Sequence, residues 1–96
     1  MRTLTEIKSL ILYNKPYLYS KYPIESLAIF GSYARNEQNA TSDIDVLVEF
    51  NGKIGIKFID LADEMERLLE TKVDLVSRKA VNERYFNAIK NDLIYV

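Results

Sequence analysis

Two short apolar runs with a polar stretch between them set the limits on this fold. Leu27-Ala28-Ile29-Phe30 and Val46-Leu47-Val48 are too short for helices and rich in strand-favouring residue types, so both are expected as buried strands. Between them lie Gly31-Ser32-Tyr33-Ala34-Arg35, a polar connector from Asn36 to Ser42, and then Asp43-Ile44-Asp45. A glycine-serine turn therefore leaves one strand and an acidic pair enters the next.

That arrangement has a chemical reading. Residues i and i+2 of a strand share a face about 6–7 Å apart, so the carboxylates of Asp43 and Asp45 can converge while Ile44 turns into the core. Two ionised carboxylates that close repel one another and favour a cation between them. Oxygen ligands without nearby nitrogen or sulfur suit Mg²⁺ or Mn²⁺ better than zinc. Gly31 allows close approach of a ligand to the backbone. If Ser32-Tyr33-Ala34-Arg35 opens a helical turn, its free N–H groups and the Ser32 hydroxyl face an anion. An anion cradle opposite a cation-binding acidic pair describes a nucleoside triphosphate site.

Composition removes the competing chemistries. The 96 residues contain no cysteine and no histidine, which excludes disulfides, thiol nucleophiles, imidazole bases and the usual zinc sites together. A proton acceptor must then be a carboxylate. The net charge of −1 comes from scattered charges of both signs, so no basic tract argues for direct binding of nucleic acid. A single domain spanning residues 1–96 is expected, able to fold alone yet too small to enclose both a nucleotide and a large acceptor. Met1-Arg2-Thr3-Leu4-Thr5-Glu6 lacks the apolar centre of a signal peptide, and no run approaches a membrane span. A cytoplasmic protein without membrane association is the expectation.

The remaining segments supply the frame. Thr3-Leu4-Thr5-Glu6 has the form of a capping box, and Leu4, Ile7, Leu10 and Ile11 follow at helical spacing, predicting a first helix over the sheet. Pro16 and Pro23 punctuate the next stretch, where Tyr13, Tyr17, Tyr19 and Tyr22 alternate with Lys15 and Lys21. Those rings either close the core or present a patch to a partner, and packing is the weightier reading. Asn51-Gly52 invites a hairpin. It is rejected because Phe58, Leu61, Ala62, Met65, Leu68 and Leu69 mark an amphipathic helix beyond it, with Asp60, Asp63, Glu64, Glu66 and Arg67 on the solvated side. Lys72-Val73-Asp74-Leu75-Val76 reads as a third strand in which Asp74 is anomalous, although alternation alone would let it face water. A helix from Ala80 to about Asn91, with Val81, Tyr85, Phe86 and Ile89 on one face, and a final strand or tail Leu93–Val96 complete a small mixed α/β (α+β) architecture with helices packed on the sheet.

Gly31-Ser32, ten intervening residues and Asp43-x-Asp45 resemble the signature of the polymerase-β nucleotidyltransferase superfamily. Gly31-Ser32-x-Ala34-Arg35 with Ser42-Asp43-Ile44-Asp45 is similar to its minimal nucleotidyltransferase (MNT) branch. Where that family has glycine after the arginine, Asn36 stands here, the non-glycine residue most at ease at positive φ. The resemblance implies a polymerase-β-like fold in which Val73-Asp74-Leu75-Val76 delivers a third carboxylate. It implies two Mg²⁺ ions (Mn²⁺ as a substitute) on Asp43, Asp45 and Asp74, the last also accepting the proton. Gly31 and Ser32 would hold the phosphates of ATP. Arg35 would pair with phosphates or lock the carboxylates, and Ser42 would orient the loop. The implied role is an antitoxin that transfers AMP to a hydroxyl of a helical HEPN-type partner protein, the partner supplying the missing walls and the pair assembling together. Two alternatives stand beside it: a binding module acting by occlusion, and transfer to a small molecule held by a separate subunit.

Overall fold

Alternation along the two central strands decides which side of the sheet becomes the core. In the computed structural model, which describes residues 2–96, β1 (Ile24–Phe30) pairs antiparallel with β2 (Ile44–Phe50), with Leu27 opposite Val48 and Ile29 opposite Val46. These four side chains, with Ile44, are fully buried on one face. Against it pack α1 (Leu4–Lys21) through Ile7, Ile11 and Leu18, and α3 (Lys57–Leu69) through Leu61, Met65 and Leu69. Burying a side chain of this size stabilises by roughly 1.5–3 kcal/mol, so this face supplies most of the driving force for folding. The alternate residues Ala28, Phe30 and Leu47 are also buried but lie outside that cluster, on the other face.

The rest of the sheet follows from the helix between β2 and β3. β3 (Val73–Ser77) returns parallel to β2, as a helical crossover requires, and β4 (Ile94–Tyr95) closes on β1 antiparallel, giving the order β3-β2-β1-β4. The mixed sheet with helices packed on it is the architecture expected from the sequence, and no hairpin forms at Asn51-Gly52. A turn at Arg78–Ala80 packs beside β2 and leads into α4 (Glu83–Ile89), on the sheet face opposite α1 and α3. The domain expectation begins at Met1, which lies outside the described residues.

Four local expectations meet the structure differently. The capping box is present: the Thr3 hydroxyl accepts from the Glu6 N–H at 3.2 Å, and Glu6 accepts from the Thr3 N–H at 3.1 Å. Pro16, however, does not end the helix, which runs on to Lys21. The cost is one missing N–H bond to the Leu12 carbonyl, and both residues lie at the exposed surface, where water can satisfy that carbonyl. The predicted C-terminal helix is shorter than 80–91, because the Asn82 side chain caps it by accepting from the Tyr85 N–H at 2.8 Å. The tyrosines divide: Tyr22 is buried and Tyr19 half-buried, whereas Tyr13 stands 85 % exposed.

Glu64 is the clear correction. It was expected on the wet face of α3, yet only 5 % of it is exposed. Tyr17 donates to its Oε1, Tyr22 donates to its Oε2 at 2.6 Å, and Lys21 and Arg67 each approach to 3.3 Å. Burial alone would raise this carboxyl, but the four donors outweigh burial and hold it at about 2. The same contact, after burial, pushes the Tyr22 phenol up to about 12. Glu64 therefore ties the end of α1 to α3.

Candidate active site

The site is built on the sheet face that α1 and α3 leave free. Phe30 lies opposite Asp45 across β1 and β2, and Asp45 lies beside Asp74 across β2 and β3. Register partners share a face, so Phe30, Asp45 and Asp74 form one row across three strands. Asp74, anomalous in its sequence context, faces solvent at the end of this row beside Asp45. Ile44, between the two acids of the pair, is fully buried on the core side.

Electrostatics reflect this crowding. The Asp45 carboxyl is pushed up to about 6, first by burial, then by the negative charges of Asp74 and Asp43 and by a hydrogen bond with Asp74. Arg35 opposes the shift weakly. Among the described residues no three carboxylates close into a ready-made metal cage. The donor set nonetheless fits a hard divalent cation: all its side-chain ligands are carboxylate oxygens, and the repulsion raising Asp45 is what such an ion would relieve.

The turn after β1 explains its glycine. Gly31 has φ +75°, and a β-carbon there would stand 2.0 Å from Asp45 Oδ2 and 3.0 Å from its Cγ. Only glycine lets the backbone of the turn lie directly against that carboxylate. Residues 31–34 then form a single helical turn, α2, with Ser32 half-buried in it and Tyr33 buried beneath. Asn36 takes φ +58°, as its conformational tolerance predicted, and the Glu37 N–H bonds the Ser32 carbonyl at 2.8 Å. Ser42 closes the connector, its hydroxyl accepting from the Asn39 N–H at 2.9 Å.

Arg35 does not lock the aspartates. Its guanidinium bonds Glu37 at 3.0 Å and Asp92 at 2.9 Å, the latter on the turn after α4. Thus the structure brings Gly31, Asp43, Asp45 and Asp74 to one rim, keeps Ser32 beside Gly31, sets Ser42 within the loop and turns Arg35 towards the C-terminal segment. Sequence reasoning missed Asp92 and missed Tyr85, whose phenol is raised first by burial and then by Asp74 and Asp45. No local signal marks either one, because a tyrosine on the apolar face of a short helix reads as packing. A cavity of about 470 Å³, lined by Lys21, Lys57, Asp60, Asp63, Glu64 and Arg67, lies between α1 and α3 on the opposite side. Its charges largely cancel, whereas the acidic row lies at the open rim.

The acidic row, the glycine that Asp45 packs against and the parallel crossover strand thus lie together at one rim. The nucleotidyltransferase domain family matches residues 15–96, which contain every element of this rim, and the chain belongs to that family. It is 49 % identical over 98 aligned positions to a Methanocaldococcus jannaschii protein provisionally named a protein adenylyltransferase, with all of both chains covered. It is 34 % identical over 97 positions to the protein adenylyltransferase MntA of Thermococcus cleftensis, covering all of this chain and 98 % of the other. The fold is also similar to one in the structure of a tri-AMPylated Shewanella oneidensis HEPN toxin in complex with its MNT antitoxin. There the TM-score is 0.61 at 22 % identity, covering 96 % of this chain and 66 % of the other.

Proposed function

We propose that this chain is the antitoxin of a two-component module and transfers AMP from ATP to a hydroxyl of a HEPN-type partner protein. The alignment of Asp45 with Asp74 beside the Gly31 turn carries the reading. The names of the relatives support it, as does the AMP-modified toxin in the similar complex. Gly31 and Ser32 hold the β- and γ-phosphates through backbone N–H groups and the serine hydroxyl. Arg35 reaches the same phosphates on leaving Asp92, and Ser42 keeps the connector in shape.

The acceptor oxygen attacks the α-phosphorus, the bond from that phosphorus to the bridging oxygen breaks, and pyrophosphate leaves with the electron pair. Asp74 takes the hydroxyl proton, since the chain offers no imidazole or thiolate for that task. Two Mg²⁺ or Mn²⁺ ions, held by Asp43, Asp45 and Asp74, would neutralise the triphosphate and acidify the attacking hydroxyl. ATP as donor is consistent with a cytoplasmic location, and no helix among the described residues is long and apolar enough to cross a membrane.

Incubation with labelled ATP, Mg²⁺ and the co-encoded partner tests this. Label is expected on the partner, and loss of one metal-binding carboxylate should lower the rate at least about a hundredfold without unfolding the protein. If Asp43→Ala/Asp45→Ala suppresses the partner as well as wild type does and neither transfers label, occlusion replaces catalysis.

A further inference from the structure

One aromatic ring packs on the end of the acidic row without being consumed by the core. Tyr85 of α4 meets Phe30 edge to face, with centroids 6.4 Å apart and planes at 88°. Phe30 is the first member of the row that continues through Asp45 to Asp74. Burial raises the Tyr85 phenol, and the negative charges of Asp74 and then Asp45 raise it further, which agrees with a ring seated near the acids. Tyr85 is 40 % exposed, so part of the ring faces solvent. It is supported on one side by Phe30, itself paired with Asp45, and open on another.

Strand order gives this wall a side. Gly31, where the phosphate turn begins, belongs to the end of β1, with Asp45 one strand away and Asp74 two. Asp74 is the acid furthest from that turn and the one whose charge acts most on the phenol. In the AMP-transfer reading, on which this inference rests, Asp74 is where the acceptor hydroxyl gives up its proton. We infer that Tyr85 is an acceptor-contacting residue: its exposed ring forms the wall against which the partner's hydroxyl-bearing side chain lies as it enters. An uncharged ring suits that position. A basic residue would pair with the acids and displace their cations, and an acidic one would add to their repulsion.

The test separates the two substrates. AMP transfer from ATP with Mg²⁺ to the co-encoded HEPN-type protein is measured for wild type, Tyr85→Phe and Tyr85→Ala, with thermal melts as a folding control. Tyr85→Ala should raise KM for the partner about tenfold and leave KM for ATP within about twofold. Tyr85→Phe keeps the ring and should stay within about threefold on both. Independently of turnover, a p-benzoylphenylalanine photocrosslinker in place of Tyr85 should couple to the partner protein, which keeps the question open to test even if Tyr85→Ala unfolds. An effect of Tyr85→Ala confined to KM for ATP, no effect on either KM, or no crosslink to the partner overturns the inference while the AMP-transfer reading stands. If wild type itself transfers no label, both fall together.

Discussion

Replacing Gly31 by alanine tests the geometry most directly, because stability and chemistry should respond by different amounts. The added methyl would be placed 2.0 Å from Asp45 Oδ2 and 3.3 Å from Asp45 Cβ, in a residue at φ +75°. The backbone part is the cost of an L side chain in the left-handed region, roughly 1–2 kcal/mol. The severe part of the clash falls on the outer end of a side chain that can rotate away, while the approach to Asp45 Cβ needs a backbone shift of a few tenths of an ångström, so the further cost to folding is small. For a domain of this size the melting temperature should fall by about 5–15 °C. The carboxylate, however, leaves its place in the row beside Asp74, and AMP transfer should drop at least about a hundredfold, far more than the folded fraction does. Melts and initial rates of Gly31→Ala, Asp45→Ala and the double variant make the comparison. In the Asp45→Ala background, Gly31→Ala should show the backbone cost alone and no additional loss of rate. Transfer by Gly31→Ala within about tenfold of wild type would refute the claim that the turn and this carboxylate are mutually placed.

Two other substitutions probe the buried and the crowded acid. Glu64→Gln removes the charge that two phenols, Lys21 and Arg67 converge on and should cost about 2–3 kcal/mol in thermal melts at neutral pH. Because the folded Glu64 carboxyl is held at about 2, below its ordinary 4.5, its contribution is complete above pH 4.5 and is lost as pH falls towards 2. The gap between wild type and Glu64→Gln should close over that window, and a constant gap would refute the assignment. Asp45→Asn should abolish transfer yet raise the melting temperature of the metal-free protein by about 2–5 °C, since it removes a repelled charge. Asp45 is pushed up to about 6, so the penalty of its ionisation builds from pH 3.8 and is complete above 6. The stabilisation by asparagine should accordingly fade below pH 6 when melts are run with a chelator.

Much of the frame was legible because it depends on local periodicity. The strands at Leu27–Phe30 and Val46–Val48, the capping box at Thr3 and the crossover helix after Asn51-Gly52 all rest on short-range patterns that tertiary context did not override. Asn36 was readable for a related reason, since positive φ restricts residue type at a single position, and Gly31 because close approach to the backbone excludes a β-carbon. What escaped depends on contacts distant in sequence. Glu64 looked solvated because its helical neighbours are charged, and its burial is set by Tyr17 and Tyr22 on another helix. Arg35 carries no sign of a partner at Asp92, and Tyr85 reveals its place beside the acids only once α4 lies across the sheet. Pro16 was over-read: a proline penalty is an average, and an exposed helix face can absorb it.

The odd and even positions of β2 have opposite employments, Ile44, Val46 and Val48 facing the packed layer and Asp45 facing the rim. A slip of one residue would drive Asp45 into hydrocarbon and move those three aliphatics out of the packed layer to the rim face, at a heavy cost in burial. Hydrophobic burial therefore acts as a proofreader for the acids. Misaligned but folded molecules are correspondingly disfavoured, and a chain that reaches the native state arrives with Asp45 already facing the rim.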